Sequence, residues 1–188
     1  ILFLLLGYIP EPFTTYEDIS MFPAGHYGYY KENQLITKEY AKYKYEPKII
    51  KPYNEIVSDV KELFDNAIKR HMISDAPIGT FLSGGLDSSA ITAIASKYKT
   101  NLQTLSLVFE DKELSEEYYQ DLVVKKYNTK HTKYLISEKL FLSSIDDFFE
   151  AMEQPTIDGL NTFFVSKAAK ESGLTTVLSG VGGDEIFY

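Results

Sequence analysis

The spacing of apolar positions divides the chain into a long alternating part and a shorter irregular one. From Pro52 to about Met72, Ile56, Val60, Leu63, Phe64, Ala67 and Ile68 recur at three- and four-residue intervals, which predicts an amphipathic helix with Pro52 suited to its first turn. Ile78, Phe81 and Leu82 follow Pro77 as a short apolar run, a strand expected to end at Ser83. Ser88 to about Lys97 reads as helix through Ala90, Ile91, Ile94 and Ala95, and Leu102 to Phe109 as a buried parallel strand. A helix from Leu114 to about Tyr127, stopped by Asn128, leads to a strand from His131 to Ile136. Ser137 to Glu153 predicts one further helix before Pro155, Asn161 to about Ser172 another with Gly173 at its end, and Thr175 to Ser179 a last strand. Strands and helices in this alternation predict an α/β fold, an open and mostly parallel sheet flanked by helices on both faces. Ligands of such sheets sit beyond the carboxyl ends of the strands.

The first part of the chain follows another rule. Ile1 to Leu6 and Gly7 read as the end of a buried helix with a glycine stop, after which Pro10, Pro12 and Pro23 break up the backbone. His26 to Tyr30 and Leu35 to Tyr40 flank Lys31 to Gln34 as the two arms of a β-hairpin. Lysines, tyrosines and a proline mix between Lys42 and Lys51 as a polar connector, and the domain boundary is placed between residues 46 and 47. The chain opens without methionine and stops at Tyr188 just after a glycine-rich acidic motif, the expectation for a piece of a longer protein.

Composition narrows the function classes. With 188 residues and 44% hydrophobic content there is ample material for a core. A net charge of −8 argues against broad binding to nucleic acid or to anionic membranes, and the 15 tyrosines are too dispersed for a base-stacking surface. The absence of cysteine excludes disulfides, thiolate metal sites and thiol nucleophiles within this chain and is compatible with a reducing compartment. The opening apolar run is too short to span a bilayer and lacks the basic flank of a signal peptide. His26, His71 and His131 are assigned structural roles, His26 a packing or turn contact, and Asp146, Asp147 and Glu150 a solvated helix face.

Chemistry concentrates in two strings. In S-G-G-L-D-S-S, Ser83 to Ser89, a strand runs into two adjacent glycines and a hydroxyl-rich helix start. Gly84 and Gly85 let backbone N–H groups approach an anion, the helix N-terminus aims its unpaired N–H groups at the same point, and Ser83, Ser88 and Ser89 add hydroxyls. Asp87 places a carboxylate where a divalent cation would be needed beside phosphate. No lysine follows, so this is not a Walker-type loop. In S-G-V-G-G-D-E, Ser179 to Glu185, a second strand ends in glycines and acids. If the two strand ends are neighbours, Asp87 and Asp184 together form a magnesium site, since that ion is held by one or two carboxylates plus phosphate oxygens.

S-G-G-L-D-S-S resembles the pyrophosphate loop of the N-type ATP pyrophosphatases. Together with Q-P-T-I-D-G-L-N-T-F-F-V-S-K-A-A and V-L-S-G-V-G-G-D-E it is similar to the synthetase domain of glutamine-hydrolysing asparagine synthetases of the B type. The segment around P-A-G-H, residues 23–26, resembles the end of their glutaminase domain. The resemblance implies an adenine nucleotide alpha hydrolase-like sheet in residues 47–188 and a glutaminase remnant in residues 1–46. It implies ATP and Mg2+, with Ser83, Gly84, Gly85, Asp87, Ser88 and Ser89 on pyrophosphate and Asp87 and Asp184 on the metal. Phe81 and Leu107 would lie with their backbone against adenine, Ser179 and Gly180 against ribose and adenylate, and Asp158 and Asn161 near the acceptor. The implied reaction joins aspartate to AMP and then to ammonia from glutamine, in a cytoplasmic enzyme whose full-length form could be a homodimer. Two departures bear on this. Val181 stands where these enzymes carry a glutamate, which leaves open another carboxylate as acceptor, or a nucleotide-binding module without turnover. The family's cysteine nucleophile and downstream lysine fall outside this chain, so the chain alone is not expected to complete the synthesis.

Overall fold

The structure is a computed structural model, and it describes residues 1–42, 44, 50–111 and 115–184. The expected boundary at residues 46 and 47, Leu114 at the expected start of a helix, and Glu185 lie outside the described residues.

Local sequence accounts for most elements. In α1 (Leu2–Leu6) the chain stops at Gly7, whose φ of 75° is left-handed. β1 (His26–Lys31) and β2 (Gln34–Glu39) pair antiparallel with Lys31 opposite Gln34. Glu32 and Asn33 between them both have positive φ, 52° and 61°, as the tight hairpin turn requires. α2 (Tyr53–His71) begins after Pro52 and turns Phe64, Ile68 and Met72 inward. Then come β3 (Ile78–Phe81), α3 (Leu86–Tyr98), β4 (Gln103–Phe109), α4 (Glu117–Tyr127) and β5 (Lys130–Ile136). Asn128 ends α4 at φ 49°, the left-handed stop expected of it.

β3, β4, β5 and the last strand, β6 (Thr176–Leu178), form one parallel sheet in the order β5-β4-β3-β6. The chain lays strands outward from β3 to β5 and then returns to the other side of β3. That reversal opens a crevice between the carboxyl ends of β3 and β6, the place where such sheets take ligands. On one side Ile68 of α2 and Ile91 and Ala95 of α3 pack with Leu102. On the other Ala168 and Ala169 of α7 (Gly159–Glu171) pack with Leu105 and Leu174.

Three expectations are corrected. α1 is exposed rather than buried, with Ile1, Leu4 and Leu5 largely in solvent; one turn of helix cannot bury itself, and Ile157 is the apolar side chain found against Gly7. The single helix expected from Ser137 to Glu153 is two, α5 (Glu138–Ser143) and α6 (Ile145–Ala151). The consecutive serines Ser143 and Ser144 mark the break, a sequence prone to kinks, and the buried Ser144 N–H is shared by the carbonyls of Leu140 and Phe141. The two pieces set Phe141 against Phe164 and Phe148 against Phe163, centroids 6.1 and 5.7 Å apart. α7 begins at Gly159, before the expected Asn161, because Thr156 Oγ1 accepts the Gly159 N–H at 3.1 Å and holds the first turn.

Candidate active site

The loop after β3 is built by its own side chains. Ser88 Oγ accepts the Ser83 N–H at 3.2 Å, lies 2.9 Å from Ser83 Oγ and donates to Gly85 O at 3.2 Å, while Ser83 Oγ accepts the Gly85 N–H at 3.2 Å. Gly84 turns the chain at φ 95°, and a Cβ there would stand 3.1 Å from the Glu116 carbonyl oxygen. The loop thus delivers the first turn of α3, where the N–H groups of Leu86, Asp87 and Ser88 have no carbonyl one turn back to receive them. The hydroxyls of Ser83 and Ser88 shape the loop, and the backbone donors carry the positive end of the helix.

The loop after β6 comes to the same place because β6 pairs with β3, Leu178 opposite Thr80. A Cβ on Gly180 would lie 3.1 Å from Asp87 Cβ and 3.2 Å from the Ser88 nitrogen, and one on Gly183 would lie 2.2 Å from Asp87 Oδ2. Both glycines are therefore needed for contact, and the half-buried Asp87 carboxylate occupies the space that Gly183 leaves.

Together the loops enclose a cleft of about 350 Å³. Ser83, Gly85, Asp87 and Ser88 line it from one side, Ser179, Gly180, Val181 and Asp184 from the other, with Phe81 and Leu86 at the edges. Among the described residues its lining carries two carboxylates and neither lysine nor arginine, so an anionic ligand would need a cation brought with it. Asp87 and Asp184 are hard oxygen donors of the kind magnesium takes, and the missing Cβ of Gly183 makes room for the Asp87 carboxylate; this donor set fits the ion. Among the described residues no group of three or more His, Cys, Asp or Glu gathers as a cage, so phosphate oxygens and water would complete the shell.

Gly84, Ser89 and Leu107, all expected at the nucleotide, do not line the cleft. Gly84 backs onto Glu116 and Tyr119, the Ser89 N–H is spent on Gly85 O within the helix, and Leu107 packs among the side chains beneath α7. Asp158 and Asn161 are also outside it, joined to each other at 2.8 Å. His26 Nδ1 meets Ala24 O at 2.8 Å in a turn, as expected, and His71 Nδ1 meets Ala67 O at 2.8 Å. His131 Nδ1 lies 2.9 Å from Thr104 Oγ1. Burial first, and Lys133 second, hold the His131 ring below its usual value.

Sequence reasoning missed several buried polar links, among them Ser106 Oγ donating to the Leu82 carbonyl. Thr80 Oγ1 and Thr92 Oγ1, 2.9 Å apart, tie β3 to α3. Gln120, 2% exposed, reaches from α4 to the carbonyls of Ser83 and Leu107 at 3.2 and 3.4 Å. A signal for Gln120 was present, since it shares a helical stripe with Val123, Val124 and Tyr127 and so sits at a core position.

No helix of the described residues is long and apolar enough to cross a membrane. In comparison with known proteins, the chain is 34% identical to a putative glutamine-hydrolysing asparagine synthetase of Methanocaldococcus jannaschii over 99% of its own length and 37% of that protein. It is 28% identical to asparagine synthetase 1 of Bacillus subtilis, over 96% of the chain and 29% of that protein. The chain thus spans about a third of the length of these curated relatives. Among solved structures, the NH3-dependent NAD synthetase of Campylobacter jejuni aligns with a TM-score of 0.43 at 16% identity, over 63% of this chain and 54% of that one. Residues 59–188, well over half of the chain and containing both glycine loops, match the asparagine synthase family, and to that family this chain belongs.

Proposed function

We propose that the cleft binds ATP and that the full-length protein uses it to make an amide. The observation that carries this reading is the meeting of the two glycine loops, with Asp87 seated against Gly183 and the α3 N–H groups beside it. In the reaction a carboxylate oxygen attacks the α-phosphorus, the bond to pyrophosphate breaks, and ammonia then displaces AMP from the acyl carbon with loss of a proton. Aspartate is the first candidate acceptor, giving β-aspartyl-AMP and then asparagine, with ammonia drawn from glutamine. The family supports this, as do the relatives' names.

The chain's own part is binding and orientation. The N–H groups of Leu86, Asp87 and Ser88 receive phosphate oxygens at the positive end of α3, and Ser83 and Ser88 keep the loop in the shape that presents them. Asp87 and Asp184 would hold magnesium, which when bound neutralises phosphate charge and the leaving pyrophosphate. Val181, 89% exposed at the cleft, supplies no proton acceptor there, and this observation favours a second reading in which a different carboxylate is amidated.

Calorimetric titration of this chain with ATP and magnesium tests the site: wild type binds, and Asp87→Ala weakens binding on the order of 100-fold. Absence of binding in both proteins would leave a nucleotide-free module and sink the proposal. In the full-length protein, pyrophosphate release with aspartate against other carboxylic acids decides between the two acceptors.

A further inference from the structure

β3 ends at Phe81 while β4 beside it runs on to Phe109. The last backbone bond between them is Leu82 N–H to Leu105 O at 2.8 Å. Alternate carbonyls of a parallel strand face the same neighbour, so Leu107 O points to where β3 would have supplied its next N–H. Gln120 Nε2 takes that place, 3.4 Å from Leu107 O and 3.2 Å from Ser83 O, the residue at which the chain leaves the sheet. One turn earlier on the same stretch, Glu116, with Tyr119 beside Gln120, backs directly onto Gly84. Gln120 Oε1 is buried without a hydrogen-bond partner among the described residues. Turned over, the amide would pair with neither carbonyl, since both are acceptors. A methionine would fill the same space without an orphaned oxygen; what the amide adds is the pair of donors.

We propose that Gln120 is the positioning residue of the nucleotide loop. By pinning Ser83 O and Leu107 O where strand pairing has run out, it sets the direction in which Gly84 and Gly85 carry the α3 N–H groups to the cleft. The role in binding rests on the reading that the cleft takes ATP; the pinning of the loop does not.

The test compares Gln120→Met, close in volume but without donors, with Thr92→Val, which breaks the buried Thr80–Thr92 bond between β3 and the second turn of α3. Both are expected to lower the melting temperature. Gln120→Met raises the Kd for ATP with magnesium about tenfold and speeds amide exchange at Gly84 and Gly85 by a similar factor, whereas Thr92→Val leaves both within about twofold. In the full-length protein the same change appears in KM for ATP with kcat within about twofold. Faster exchange with no ATP binding even in wild type overturns the nucleotide reading and supports the pin. Unchanged exchange in Gln120→Met overturns the pin, and faster exchange with wild-type ATP affinity overturns its positioning role.

Discussion

The two glycine loops that meet in the cleft are written in similar letters and held by different means. After β3, Ser83, Gly85 and Ser88 close a set of hydrogen bonds among themselves, with Gln120 securing the exit from the sheet. After β6 the loop has the Val181 N–H on Ser179 Oγ at 3.3 Å and the Gly183 N–H on Gly180 O at 3.2 Å. Gly180 and Gly183 take their places from what they face, the backbone of Ser88 and the side chain of Asp87. The first loop supports itself and the second is moulded against it. A glycine is thus required at Gly84 for backbone conformation and at Gly183 for closeness to a carboxylate, and substitutions separate the two requirements.

Gly84→Ala puts a side chain at φ 95° with the Glu116 backbone behind it, and is expected to lower unfolding free energy by about 2–3 kcal/mol in denaturant titration. Gly183→Ala meets the movable end of Asp87 instead. The expected result is ATP–magnesium affinity lower by about 30-fold with the denaturation midpoint little changed. Equal stability losses in these two variants would break the distinction between the loops. Ser88→Ala removes the hydroxyl that serves Ser83 and Gly85 and should cost about 1–2 kcal/mol of stability, against less than about 0.5 kcal/mol for Ser179→Ala, whose hydroxyl is exposed and receives one N–H. A loss at Ser179 as large as that at Ser88 would show the second loop to be self-supporting too.

The smallest effect lies away from both loops and sets their baseline. Burial keeps the His131 ring neutral in the folded chain and moves its pKa below the ordinary 6.5. As pH falls through 6.5 the unfolded chain takes up this proton first, so the stability contributed by the neutral ring is lost between 6.5 and the lower folded value. The melting temperature should therefore decline over that interval more in wild type than in His131→Gln, with ATP affinity unaffected by the substitution at neutral pH.

Much of the fold was legible because its causes are local. The apolar period of α2, the continuous β4, the left-handed Asn128 and the turn residues Glu32 and Asn33 each act within a few residues of where they are read. The break at Ser144 was not legible, because a helical pattern persists across it and the phenyl rings of α7 are what the two pieces fold against. Leu107, whose backbone the resemblance sets against adenine, packs its side chain under α7, and its carbonyl faces Gln120, a partner that another element supplies and no local pattern names.

From its own order of residues the chain determined that a strand runs into glycines and an aspartate twice over, with a helix start after the first, since turn and cap chemistry acts between neighbours. What the tertiary structure alone decided is that the two become one site. The sheet reverses so that β6 lies beside β3, an outcome of which surfaces can be buried together and not of any local preference, and this brings Gly180 and Gly183 onto Asp87 and Ser88.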